Sequence, residues 1–257
     1  MQLKLLFSLS FLMMCFLNSC TQENNDEIST SKLKELYEKL ETCPYNSIFS
    51  INYGTSRAEH TSDYIYFAVT NDDIEYLSSL SQDEMKEERE RLIQSLGHNG
   101  ENIIDSLQSV GYEHIFNVLG GHVGMNQLIN FTTTYIENIE STEKWDEISQ
   151  LIPSNLTENQ ANIYIYMAVC VNKICRPIYR VLTTRQIQNI STTSRNARNI
   201  CDAQLAAELS IMGIDLTAEA FIDIMSGGAM TAFEATVGCA NLVGIWYNYE
   251  TCNGRWH

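Results

Sequence analysis

Ile163 to Val171 is a run of nine apolar or aromatic residues with no polar interruption. A segment that is apolar on every side has to be covered on every side by other elements. Thr157-Glu158-Asn159-Gln160, just before the run, has the spacing of a capping box, in which two side chains satisfy each other's backbone N–H groups at a helix start. The cap argues for helix, whereas the β-branched residues inside the run argue for strand. A buried central helix is the expectation, and the rest of the chain then has to supply the elements that enclose it.

Most of the remaining segments carry helical periodicity. Ser31 to Glu41 places Leu33, Leu36, Tyr37 and Leu40 on one face. Ser81-Gln82-Asp83-Glu84 is another capping box, opening a charged helix to about Leu96 that Gly97 and Gly100 end. Helices follow at Glu101–Val110, Tyr112–Leu119 and Met125–Ile139, punctuated by Gly111 and by Gly120-Gly121, then Glu143–Leu151, stopped by Pro153. Thr183 to Asn199 is polar and basic and reads as including a long loop. Cys201–Met212 and Thr217–Met225 are amphipathic, with Thr217 as N-cap of the second. Pro44 to His60 reads as loop, and Tyr64 to Val69 as strand or buried helix. The expected fold class is all-α: one helical domain of about eight to ten helices, with at most one or two short strands.

Tyr64-Ile65-Tyr66-Phe67-Ala68-Val69 matches Tyr164-Ile165-Tyr166-Met167-Ala168-Val169, but the flanks do not match, so coincidence is preferred to duplication. Gly227 and Gly228 turn the chain into Ala229–Tyr249, where Gly228, Ala232, Thr236, Ala240 and Gly244 recur every four residues. That spacing makes a ridge of small residues along one helix face, which allows close approach of a second helix. The hairpin over residues 201–252 is read as soluble core. The competing reading sets it in a bilayer with Trp246, Tyr247 and Tyr249 at the interface, at a cost of about 2.5 kcal/mol or more for Glu234 in lipid.

The N-terminus carries Lys4, an apolar run from Leu5 to Leu17, and Leu17-Asn18-Ser19-Cys20. This resembles the lipobox of bacterial lipoproteins: an aliphatic residue, a small residue before the cut, and an acceptor cysteine. The resemblance implies a signal peptide over 1–19, acylation at Cys20, and a mature chain anchored to a membrane through lipid. The polar stretch Gln22-Glu23-Asn24-Asn25-Asp26-Glu27 then forms a flexible tether over 20–30 ahead of the domain at 31–257. Acidic residues directly after the lipidated cysteine resemble the surface-export signal of Bacteroidota lipoproteins, which implies the outer face of the outer membrane; read as a plain solvated linker, the stretch leaves the chain lipid-anchored on the periplasmic side. Asp105-Ser106-Leu107 resembles the O-glycosylation motif of exported proteins in that group. Trp145, Leu151-Ile152-Pro153, Leu156 to Gln160 and Cys252-Asn253-Gly254 are similar to the bacteriocin fulvocin C-related lipoproteins. Those end in a dense cysteine cluster, whereas Cys201, Cys239 and Cys252 are widely spaced here.

The formal charge of −16 makes nucleic acid an unsuitable partner, because phosphate binding needs clustered cations. Between Val171 and Ile200, however, Lys173, Arg176, Arg180, Arg185, Arg195 and Arg198 stand without an acidic residue. They either pair with acidic regions on both sides or form an anion-facing strip. Cys15 leaves with the signal, and Cys43, Cys170, Cys175, Cys201, Cys239 and Cys252 are disulfide candidates. Cys170 and Cys175 lie too far apart to bridge on an unbroken α-helix, and Pro177 provides for a break.

None of His60, His98, His114, His122 and His257 has metal-ligand spacing, and no nucleotide-binding or GxSxG motif occurs. His122, in Gly121-His122-Val123-Gly124, is the most catalytic-looking. No cofactor, metal site or catalytic set is expected. The sequence reads as a lipid-anchored envelope protein that binds an unidentified protein or glycan and is not an enzyme. The alternative is a bacteriocin-like or immunity protein with a membrane-active hairpin, and a third reading is a hydrolase of unfamiliar motif.

Overall fold

The computed structural model describes residues 29–43, 45–49, 67–97, 100–139, 141–142, 144–188, 195–226 and 232–254. The signal segment, Cys20, the tether to residue 28, His60, His98, His257, Tyr64–Tyr66, the Gly227-Gly228 turn and residues 189–194 lie outside them.

The apolar run is the helix that its cap announces. Thr157 Oγ1 accepts from the Gln160 N–H at 3.4 Å, and Gln160 Oε1 accepts from the Thr157 N–H at 3.1 Å. The helix spans Glu158–Cys170, and every residue from Ile163 to Cys170 is buried. Packed against it are the N-terminal helix Thr30–Glu41 (α1) and the long helix Arg195–Ser226. In chain order the elements are α1; β1, Asn46–Ser47; β2, Phe67–Ala68; α2, Asn71–Ser79; α3, Gln82–Ser95; α4, Gly100–Val118; α5, His122–Glu137; α6, Trp145–Ile148; α7, Glu158–Cys170; a π-turn, Val171–Cys175; α8, Arg176–Gln188; α9, Arg195–Ser226; and α10, Ala232–Cys252. Among the described residues the fold is all-α apart from β1 and β2, which pair in parallel with Asn46 opposite Phe67.

The capping box on α3 forms as expected between Ser81 and Glu84. Gly97, at φ +109°, ends that helix. Gly100 instead opens α4, and Gly111 lies inside α4 rather than breaking it. A Cβ at Gly111 would stand 2.8 Å from the Ala218 Cβ, so this glycine lets α4 and α9 pack closely. The two helices expected over Cys201–Met225 are likewise one helix, α9. Thr217 is a buried residue within it, donating to Met167 Sδ at 3.5 Å, and is not an N-cap. The expected loop at Thr183–Asn199 is helical at both described ends. The helix α2 was not anticipated; its start, Thr70-Asn71-Asp72-Asp73, is a capping box with Asp in place of Glu or Gln.

Pro177 does not break the chain direction; α7, the π-turn and α8 follow one another without interruption. Proline has no N–H for the carbonyl four residues back, that of Lys173. The Val69 N–H supplies that bond at 2.9 Å, tying the β2 end to the helix. The two Tyr-Ile-Tyr motifs are not equivalent elements: Phe67-Ala68 is strand, whereas Met167-Ala168 is helix.

On α10, the ridge positions Thr236 and Ala240 are buried, and Gly244 is half-buried. This helix packs against α3 and α9. Trp246 is fully buried and Tyr249 is buried with its hydroxyl donating to Asp202 at 2.6 Å, so neither forms an interfacial belt. No helix among the described residues is long and apolar enough to cross a membrane. Cys201 and Cys252 form a disulfide that closes the hairpin at the end away from its turn. The other disulfide candidates are thiols: Cys43 is half-buried, and Cys170, Cys175 and Cys239 are buried.

Candidate functional site

Two polar groupings stand out in the fold, and they differ in kind. One is a closed hub around the π-turn. Asn172 donates through Nδ2 to Tyr37 Oη and to Glu41 Oε1, both at 2.7 Å. Its Oδ1 accepts from Tyr135 Oη at 2.7 Å and from Arg176 Nη2 at 2.8 Å. Arg176 Nη2 also donates to the Thr142 carbonyl at 2.7 Å, and Lys173 Nζ meets Glu41 Oε2 at 2.7 Å. Burial is the main cause raising Tyr37 and Tyr135 well above the usual phenol range, so both remain hydroxyls. Every group of the amide is satisfied from inside, and the hub braces α1, α5, the π-turn and α8 against one another.

For two members of the basic band, the hub favours internal pairing over an anion-facing strip. Lys173 and Arg176 face inward to it and do not belong to an anion-facing strip. Arg180 is half-buried and engaged in contacts of its own. The side chains of Arg185, Arg195 and Arg198 lie outside the described residues. The π-turn also bears on the spacing of the cysteines, which remain unbridged. Five residues make about one π-helical turn, which sets Cys170 and Cys175 near each other, while the Cys175 thiol donates to the Leu209 carbonyl at 3.6 Å. The neighbouring Cys170 thiol, and then burial, push the Cys175 thiol well up.

The other grouping is open. A cleft of about 580 Å³ lies between α3, α9 and α10, with Gln108 of α4 reaching its wall. Of the small-residue ridge, Gly244 lines it. At Gly244 the floor has no side chain, and the Arg89 Nε lies 3.4 Å from where a Cβ would be. Arg89 and Lys86 stand one turn apart on α3, and Lys86 Nζ lies 5.6 Å from the Tyr247 ring centre. Tyr247 Oη accepts from Gln82 Nε2 at 3.0 Å, which fixes that ring at the cleft edge. On the facing helix, α9 presents Glu208, Ile211 and Asp215, which fall on one face by spacing. Glu208 accepts from Gln204 Nε2 at 2.8 Å and from Asn248 Nδ2 at 3.4 Å. Met85, Met212, Val243 and Ile245 supply apolar lining.

Asp215 is the unusual member. It sits within Met212–Ala218, a stretch buried throughout, and its own exposure is 8%. Gln108 Nε2 donates to Oδ2 at 2.9 Å, the one hydrogen bond to this carboxyl among the described residues. A carboxylate offers about four acceptor positions. Burial disfavours the charged form and raises the Asp215 pKa to about 7. The acid therefore changes charge near neutral pH at the wall of a ligand-sized cleft.

The histidine reading finds no support in placement. The His122 ring packs edge-on to Phe116 at 4.9 Å between centres, and burial lowers the His114 pKa. No group of three or more His, Cys, Asp or Glu side chains among the described residues could hold a metal ion. The cleft residues were not singled out from the sequence, because Arg89, Gln108, Asp215 and Gly244 are far apart in it. Two signals were present: an acid inside the apolar stretch Met212–Ala218, and a small-residue ridge that ends at Gly244. Comparison of the chain with protein-family models, curated proteins and solved structures found no match.

Proposed function

We propose that this chain is a lipid-anchored binding protein of the bacterial envelope, without catalysis of its own, and that its ligand occupies the cleft between α3, α9 and α10. The cleft and its buried acid carry the reading: its volume of about 580 Å³ falls in the ~300–1,000 Å³ range of small-molecule sites, and it combines apolar lining with a few polar groups. The lipobox-like Leu17-Asn18-Ser19-Cys20 supports anchoring, and the acidic tether supports a domain held off the membrane surface. The two halves of the proposal have separate tests. Intact-mass measurement of the native product should give a chain starting at Cys20 and carrying acyl groups; an unacylated product, or another start, removes the anchor. For the cleft, a small-molecule extract of the envelope should raise the melting temperature of the purified chain and leave that of Gly244→Leu unchanged. Extract that shifts neither protein, or both equally, counts against a ligand in the cleft.

A further inference from the structure

Resting on the cleft as a ligand site, we infer that its ligand is a small zwitterionic amphiphile of short-peptide size, with an ammonium group on Asp215 and a carboxylate toward Lys86 and Arg89. Three observations lead there. Asp215 is 8% exposed and has a single amide donor among the described residues, which leaves acceptor positions open at a cleft wall. Leaving a buried carboxylate so thinly solvated is costly, and an ammonium group placed against it removes that cost. Across the cleft, α3 brings two cations to the same space: Lys86, which also meets Asp83 at 3.8 Å, and Arg89, which has a contact of its own. The lining carries both signs, Lys86 and Arg89 beside Asp215, Glu208 and Glu90, so a ligand of one sign alone would leave part of it unmatched. Separated opposite charges satisfy both walls, and the Met85, Met212, Val243 and Ile245 lining takes an apolar side chain. The chain's net charge of −16 favours approach by the ammonium end.

The acid also makes the site sensitive to pH. The charged and titratable groups lining the cleft with Asp215 are Lys86, Arg89 and Glu90 of α3, Glu208 of α9 itself, and Tyr247 of α10; α4 contributes the neutral Gln108. Burial moves the Asp215 pKa toward neutrality, to about 7. Ammonium binding needs its ionised form, so affinity falls as pH drops below that midpoint, by about tenfold per unit.

Calorimetric titration of the purified full chain at pH 8 with three probes tests this: the dipeptide Leu-Leu, its N-acetyl derivative and its C-terminal amide. Leu-Leu should bind, and each blocked form should bind at least tenfold more weakly. Asp215→Asn should lose at least tenfold for Leu-Leu while hardly changing its affinity for the N-acetyl form. The double variant K86Q/R89Q should lose at least tenfold for Leu-Leu while hardly changing its affinity for the amide. Between pH 8 and pH 5.5 the wild-type affinity should drop by an order of magnitude or more. Equal binding of all three probes overturns the charge assignment, and so does an Asp215→Asn chain that behaves as wild type. If no probe binds while envelope extract still stabilises wild type and not Gly244→Leu, the ligand class is wrong and the cleft reading survives. If extract also fails, the cleft reading falls with it.

Discussion

Asp215 couples the cleft to the stability of the chain. Its pKa is raised to about 7 in the fold, against about 3.9 in an unfolded chain. The folded state therefore holds the proton more tightly, and the Asp215 contribution to stability is fully present below about pH 4 and is lost as pH rises through 7. Asp215→Asn removes the ionisation. In denaturant titrations at pH 8 the variant should be more stable than wild type, by on the order of 2–4 kcal/mol, with the advantage shrinking toward pH 4. Tyr164 gives a second test at this scale. Its hydroxyl is buried without a hydrogen-bond partner among the described residues, and burial pushes its pKa up to about 12. The ring itself packs edge-on to Phe131 at 5.1 Å. Tyr164→Phe keeps that contact and removes a stranded polar group, so stability should rise by about 1 kcal/mol, read as a higher denaturation midpoint with unchanged slope.

Elements pack here through small residues, and the consequences are local. At Gly111 an added Cβ would lie 2.8 Å from Ala218, on a helix face with no room to give. Gly111→Ala should therefore destabilise by about 1–3 kcal/mol despite its better helix propensity, measurable by thermal unfolding. The same features show what could be read from the chain alone. Capping boxes at Ser81 and Thr157 and the apolar run at Ile163 were legible, because each is a contiguous pattern with a local cause. Glycine was ambiguous: Gly97 ends a helix through its backbone, whereas Gly111 serves packing inside one, and only the partner helix tells them apart. The π-turn was not legible. Its Lys173 carbonyl accepts from the Val69 N–H, a contact across more than a hundred residues that no local pattern announces. The cleft was hidden for the same reason, with its polar members contributed by four helices.

At the scale of the molecule, the long hairpin of α9 and α10 frames one side of the core and is locked at its open end by Cys201–Cys252. That bond spans 51 residues of sequence, so it removes much conformational freedom from the unfolded chain. Replacing both cysteines by alanine should cost about 3–4 kcal/mol in chemical denaturation, and a reducing agent should shift wild type to the variant's midpoint. A single oxidised pair beside four thiols also means that reduction acts on the hairpin alone among the described residues. The hairpin in turn holds the two walls of the cleft, α9 and α10, at fixed spacing against α3. The most direct measurement of a binding cleft built around a buried acid is a carbon-13 NMR titration of the Asp215 carboxyl in the intact chain, alone and saturated with Leu-Leu. The free protein should titrate near pH 7, and the dipeptide's ammonium group should move that midpoint downward. A midpoint in the ordinary carboxylate range near 4 in the free chain, or one that the dipeptide leaves in place, would contradict it.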